Sequence, residues 1–125
     1  MLKFTDTDKA PAALGPYSQA VAANGFLFTS GQIAIDPAVG DVVATTITEQ
    51  AEQVMKNLGA VLDANNITYT DAIKTTCFLS DMDYFGAFNE VYGKYFTSKP
   101  ARSCVAVKTL PKNVLCEVEV IALLK

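Results

Sequence analysis

The apolar segment from Leu115 to Leu124 most constrains what this chain can fold into. Read as a strand, it alternates its side chains between two faces. One face carries Cys116, Val118, Val120, Ala122 and Leu124, and the other carries Leu115, Glu117, Glu119, Ile121 and Leu123. Both are largely apolar, so the strand needs cover on both sides. A contiguous apolar patch of that size is rare on a soluble monomer. The expectation is a homo-oligomer packed sheet to sheet, and the alternative is that N-terminal residues fold over the second face.

The rest of the chain reads as helices and strands that build one layer. Asn24-Gly25 is a strong hairpin signal, with strands expected over Ser18 to Ala23 and Phe26 to Ile35. A turn over Asp36 to Asp41 leads to a short strand at Val42-Val43. Ile47, Ala51, Val54, Met55, Leu58, Val61 and Leu62 repeat at the helical period, which predicts a helix from Ile47 to Ala64. Thr46 and Glu49 form a candidate capping box at its start, and Asn65-Asn66 suit its end. Asp71 to Leu79 follows as a strand, and Ser80 or Asp81 can cap a second helix over Met82 to Phe96. Aromatic side chains cover most of that helix, so it is expected to be buried on more than one side. Strands over Arg102 to Lys108 and Cys116 to Leu124 are joined through Leu110 to Asn113, which predicts an antiparallel pair. The order of hairpin, helix, strand, helix and hairpin predicts an α+β fold, a single mixed sheet with two helices on one face. At 125 residues, the chain is expected to be a single domain over 1–125.

Composition removes several chemistries. The absence of His excludes the Ser-His-Asp triad, the Cys-His pair and His-ligated metal sites. The three cysteines, Cys77, Cys104 and Cys116, are odd in number and lack C-x-x-C spacing, which reads as buried thiols in a reducing compartment. The N-terminus has no apolar leader core and no window approaches 18 uninterrupted apolar residues, so a cytoplasmic chain without a membrane partner is expected. A net charge of -3 and a single Arg leave no basic stripe for phosphates, which disfavours nucleic acid. Without a G-x-G-x-x-G or Walker pattern, nucleotide cofactors have no visible site.

Arg102, the one Arg, shares a strand face with Cys104 and Ala106. Its planar fork suits bidentate capture of a carboxylate, and the alternative is a structural salt bridge to an acidic side chain. Glu117 and Glu119 fall on the expected oligomer face, where an unpaired carboxylate either shifts its pKa or finds a cation. Such a group can act as a general acid or base, while a structural ion pair with Arg102 or a Lys is the alternative. Direct pairing of the last two strands can place Cys104 near Glu117 and bring cation and carboxylate to one cleft. Tyr17 and Ser30 can offer hydrogen-bond donors to a pocket, or simply pack. Asn89 lies on the aromatic stripe with Phe85, Tyr92 and Phe96, either as a structural tie or as a pocket residue. No His can activate Cys104, so an inert thiol is expected there.

These residues sit within several motifs: Ala10-Pro-Ala-Ala-Leu-Gly-Pro-Tyr-Ser-Gln-Ala20, Thr29-Ser-Gly-Gln32, Lys74-Thr-Thr-Cys-Phe-Leu79, Pro100-Ala-Arg-Ser-Cys-Val-Ala-Val107, Leu110-Pro-Lys and Cys116-Glu-Val-Glu-Val120. In that order and over nearly the whole chain, they resemble the RidA/YjgF family of reactive intermediate imine deaminases. The resemblance implies a chorismate-mutase-like fold, a homotrimer with sheets packed into a central barrel, and ligand clefts between subunits. It implies hydrolysis of short 2-imino or 2-enamino acids, such as 2-aminoacrylate, 2-iminobutanoate and 2-iminopropanoate, to 2-keto acids and ammonia, without metal or organic cofactor. By the same resemblance Arg102 clamps the substrate carboxylate with the Cys104 backbone N–H, Glu117 activates water, and Tyr17, Ser30 and Asn89 line the cleft. The link from Phe96 to Arg102 is shorter than in many members, which implies a reshaped cleft mouth. The family also holds regulators that sense ligands and proteins described as ribonucleases or translation inhibitors, so a small-carboxylate sensor and a ribonuclease stand as alternatives.

Overall fold

In the computed structural model, which describes residues 1–125, Asn24 and Gly25 both take positive φ, 51° and 83°. That left-handed pair is what a two-residue hairpin requires. It joins β2 (Ala20–Ala23) to β3 (Phe26–Thr29), both shorter than the sequence suggests. A strand not anticipated, β1 (Lys3–Thr5), adds to the free edge of β2, with Phe4 opposite Val21. The N-terminal residues therefore extend the sheet and do not fold over its second face. A small separate hairpin, β4 (Ile35–Asp36) and β5 (Asp41–Val42), precedes the first helix.

Helix α1 (Ile47–Asp63) starts at the expected capping box. The Glu49 N–H donates to Thr46 Oγ1 at 3.2 Å, and the Thr46 N–H reaches Glu49 Oε1 at 3.4 Å. From Ala51 to Leu62 its apolar stripe is fully buried, with Ile47 half-buried at the start. Two amides on the helix anchor loops that the sheet cannot reach. Asn57 Nδ2 donates to the carbonyls of Ile33 and Ile35, each at 2.9 Å, and Gln50 Oε1 accepts from the Leu115 N–H at 2.8 Å. After β6 (Ala72–Leu79), Asp81 accepts from the Asp83 N–H and caps a single 3-10 turn at Met82–Tyr84. Helix α2 (Phe85–Tyr95) then follows, starting later than expected. Phe88, Val91 and Tyr92 are buried and Phe85 and Tyr95 half-buried, whereas Gly86, Glu90, Gly93 and Lys94 face solvent. The helix thus keeps one open side.

The main sheet has six strands in the order β1-β2-β3-β8-β6-β7, completed by β7 (Ala101–Ala106) and β8 (Cys116–Leu123). The expected antiparallel pair of the last two strands does not form. Strand β6 lies between them, antiparallel to β8 and parallel to β7. The chain segment Val107 to Leu115 is long enough to step across one strand width, so connection length did not determine pairing. Both helices cover the inner face, which carries Leu27, Thr75, Cys77, Val118 and Val120. The outer face carries Phe4, Phe26, Phe28, Val105 and Leu123, each at least 38% exposed.

Candidate functional site

Register decides where the charged residues fall. Cys104 pairs with Cys77, which pairs with Val118 on its other side, so Arg102 and Cys104 point to the inner face with Val118. Glu117 pairs with Phe78 and belongs to the outer face. Within one protomer Arg102 and Glu117 are therefore on opposite faces, two strands apart, and do not share a cleft. The expected ion pair between them is absent for the same reason.

Arg102 is held by α2. Its Nη1 donates to Asn89 Oδ1 at 2.6 Å, and its guanidinium lies 4.7 Å from the Tyr92 ring centroid and 5.5 Å from that of Phe85. Tyr92 is fixed in turn by a 2.7 Å hydrogen bond between its hydroxyl and the buried Thr75 hydroxyl. Three ion pairs form in the protein, Lys94 with Glu52, Lys112 with Asp41 and Lys125 with Asp71, and none involves Arg102. The structural salt bridge considered from sequence is thus absent. A neutral amide and two aromatic faces orient the fork while leaving donors unused. Asn89, Tyr92, Thr97, Lys99 and Arg102 line a cleft of about 350 Å3.

A second candidate cleft lies where β3 leaves β8. Phe28 is level with Ile121 and Gln32 with Val118, so β3 spends four residue steps where β8 spends three. The extra residue makes a bulge at Ser30-Gly31 beside Glu117. A Cβ on Gly31 would lie 2.5 Å from Glu117 Oε2, so glycine is what admits the carboxylate. Tyr17, Gly31, Gln32, Pro111 and Glu117 line a cleft of about 110 Å3. Gln19 positions the Tyr17 loop, because its buried amide donates to the carbonyls of Thr7 and Pro11 at 2.9 Å and accepts from the Thr7 N–H at 2.7 Å. Ser30 is committed to that scaffold, its hydroxyl donating to the Ser18 carbonyl at 2.6 Å.

Burial, and then the negative charge of Glu119, raise the Glu117 pKa above its ordinary 4.5. No Lys or Arg pairs with either glutamate. Burial pushes the Cys77 and Cys116 thiols up to about 12. It raises Cys104 as well, against the opposing pull of Arg102. Thiols shifted upward are poor nucleophiles, which agrees with an inert Cys104. No group of three or more Cys, Asp or Glu side chains is arranged to hold a metal ion. Sequence reasoning missed Gly31, Tyr92 and Phe85. Gly31 carried a signal in its motif, since a glycine within a strand run marks close approach. Tyr92 carried one in its three-residue spacing from Asn89.

The family model described as Endoribonuclease L-PSP matches residues 7–124. A RutC family protein of Synechocystis, slr0709, is 51% identical over 98% of this chain and 97% of its own. The 2-iminobutanoate/2-iminopropanoate deaminase of Mus musculus is 45% identical over 96% of this chain and 90% of its own. The crystal structure of E. coli TdcF with bound serine superposes with a TM-score of 0.93 at 39% identity, covering 98% of this chain and 99% of that one. Motifs, fold and these likenesses agree over nearly the full length, and the chain belongs to the RidA/YjgF family.

Proposed function

We propose that this protein hydrolyses short 2-imino and 2-enamino acids to 2-keto acids and ammonia, in clefts completed by a second copy of the chain. The observation that carries this reading is Arg102, a lone arginine oriented by Asn89, Tyr92 and Phe85 with no carboxylate partner of its own. Its fork is suited to a substrate carboxylate, assisted by the backbone N–H of Cys104 on edge strand β7. Glu117 of the neighbouring copy, with its raised pKa, takes a proton from water. A 2-enamino acid first tautomerises to the imine, one N–H proton being lost as C3 gains one; the water oxygen then bonds to C2, the C–N bond breaks, and the two water protons leave on the imine nitrogen as ammonia. Tyr17, Ser30 and Asn89 shape the cleft, with Ser30 acting through its tie to Ser18. An iminium carbon is already electrophilic, so a held carboxylate and an oriented water suffice.

A homotrimer with the outer faces packed into a central barrel fits this arrangement, because it buries Phe26, Phe28 and Leu123 while joining the two half-sites. The name borne by the mouse relative supports the substrate class. A small-carboxylate sensor is the second reading, favoured by the fact that the Arg102 clamp is assembled within one protomer without Glu117. The family model's description raises RNA cleavage, for which a chain of net charge -3 without His offers neither imidazole nor a basic stripe.

The test is ammonia and 2-keto acid release from enzymatically generated 2-iminobutanoate. Wild type is expected to accelerate release, and Arg102→Ala and Glu117→Ala each to lose about 100-fold or more. Ligand binding retained in Glu117→Ala, with no wild-type acceleration, would establish the sensor instead.

A further inference from the structure

Lys99 has no role in the hydrolysis just described, yet it lines the same cleft as Arg102. Neither cation takes part in any of the protein's ion pairs, and within one protomer no Asp or Glu lines this cleft. In a chain with more acidic than basic residues, 13 against 10, two unpaired cations in one cleft are a local excess of positive charge. The backbone makes the choice of lysine more pointed. Lys99 has φ of 56° and precedes Pro100, and its N–H donates to the Phe96 carbonyl at 3.2 Å to close the end of α2. Glycine or asparagine occupies a left-handed position at lower cost, and a residue before proline is ordinarily biased to extended backbone. A long cationic side chain at such a position is therefore not explained by the turn.

We infer that Lys99 selects substrates with a second, distal carboxylate, so that the cleft accepts 2-imino dicarboxylates as well as the monocarboxylates. This rests on the reading of Arg102 as the clamp for the first carboxylate. Only Pro100 and Ala101 separate the two residues, which puts their Cα atoms no more than about 11 Å apart even in a fully extended chain. Both side chains then serve a single small ligand from one wall, Arg102 in a fixed fork and Lys99 as a mobile point charge. Lys99 is exposed, so its contribution is moderate and sensitive to salt.

The experiment measures two things on the intact protein. Dissociation constants for 2-oxoglutarate and 2-oxobutanoate are taken by calorimetry on wild type, Lys99→Met and Lys99→Arg. Hydrolysis of oxidase-generated 2-iminoglutarate and 2-iminobutanoate is followed on the same three proteins. Lys99→Met is expected to weaken 2-oxoglutarate binding and kcat/KM for 2-iminoglutarate by about 4-fold, with the monocarboxylates changed less than about 2-fold and Lys99→Arg near wild type. Equal 2-oxoglutarate affinity in wild type and Lys99→Met would overturn the inference. If both imines were still hydrolysed in that case, the deaminase reading would stand without it. Selective loss of 2-oxoglutarate binding in Lys99→Met, with neither imine hydrolysed by wild type, would support Lys99 as a ligand selector and remove the deaminase reading.

Discussion

Gly31 is expected to bear on the proposed chemistry through Glu117 rather than through substrate. Its Cβ position lies 2.9 Å from Glu117 Cδ as well as 2.5 Å from Oε2, so any side chain there moves the carboxylate. Gly31→Ala is expected to lower kcat by about 10- to 100-fold, since a displacement of about 1 Å of a reacting group is that costly. KM should change little, because Arg102 is untouched, and a proportional rise in KM would refute the positioning role. Glu117 carries a second prediction. Its raised pKa means that the folded protein holds this proton more tightly than the unfolded chain, so the carboxylate is charged only above a pH higher than 4.5. The acid limb of kcat/KM should therefore fall above pH 4.5. Glu119→Gln removes the neighbouring negative charge and should move that limb to lower pH, which a pH–rate profile on both proteins measures. The linked stability runs the same way: the folded state loses stability as pH rises from 4.5 through the raised value, and Glu117→Gln removes that loss. At this scale, Arg102 stood out in the sequence because it is the one Arg and lies on a strand with no other charged residue. The freedom of Arg102 from acidic partners, and the place of Gly31, depend on register, which alternating apolar residues leave open.

At the scale of elements, α2 is joined to the sheet by one buried polar contact, between Tyr92 and Thr75. Thr75 is fully buried, so Tyr92→Phe leaves its hydroxyl only the weak contact from the Cys77 thiol at 4.0 Å and should destabilise the protein by about 1–3 kcal/mol in urea unfolding at fixed protomer concentration. Phenylalanine keeps the aromatic face under Arg102, so kcat/KM should change far less than stability. The double variant Tyr92→Phe with Thr75→Val should recover part of the loss, because neither polar group is then stranded. Helix α1 and the first hairpin were legible because their determinants are local: a capping box, a helical stripe and an Asn-Gly turn. The placement of β6 between β7 and β8 was not, since all three strands mix apolar and polar residues and nothing local distinguishes a neighbour from a strand one position removed. That step puts two strand widths between Glu117 and Arg102, while the register puts them on opposite faces, so a cleft shared within one protomer fails for both reasons.

The whole molecule presents a problem that one protomer cannot solve. Arg102 and Glu117 are separated by the sheet itself, and no side-chain motion brings them together. The outer face meanwhile exposes Phe28 at 46% and Leu123 at 52%. In the proposed assembly, packing this face against another copy would bury the rings and set Glu117 of one chain against the Arg102 cleft of the next, so that assembly and catalysis would be one event. A carboxylate placed at the centre of that face should separate the copies. Phe28→Asp is expected to sediment as a folded monomer, with its far-ultraviolet circular dichroism retained and its deaminase activity lost. A stable oligomer in Phe28→Asp, or a fully active monomer, would rule out this face as the site-forming contact. Subunit mixing tests the sharing directly. Arg102→Ala and Glu117→Ala are each expected to be inactive alone, but after exchange at equal amounts a site built from both chains would meet an intact arginine and an intact glutamate in about a quarter of cases. About a quarter of wild-type activity should therefore return on mixing. A site contained within one protomer would recover nothing.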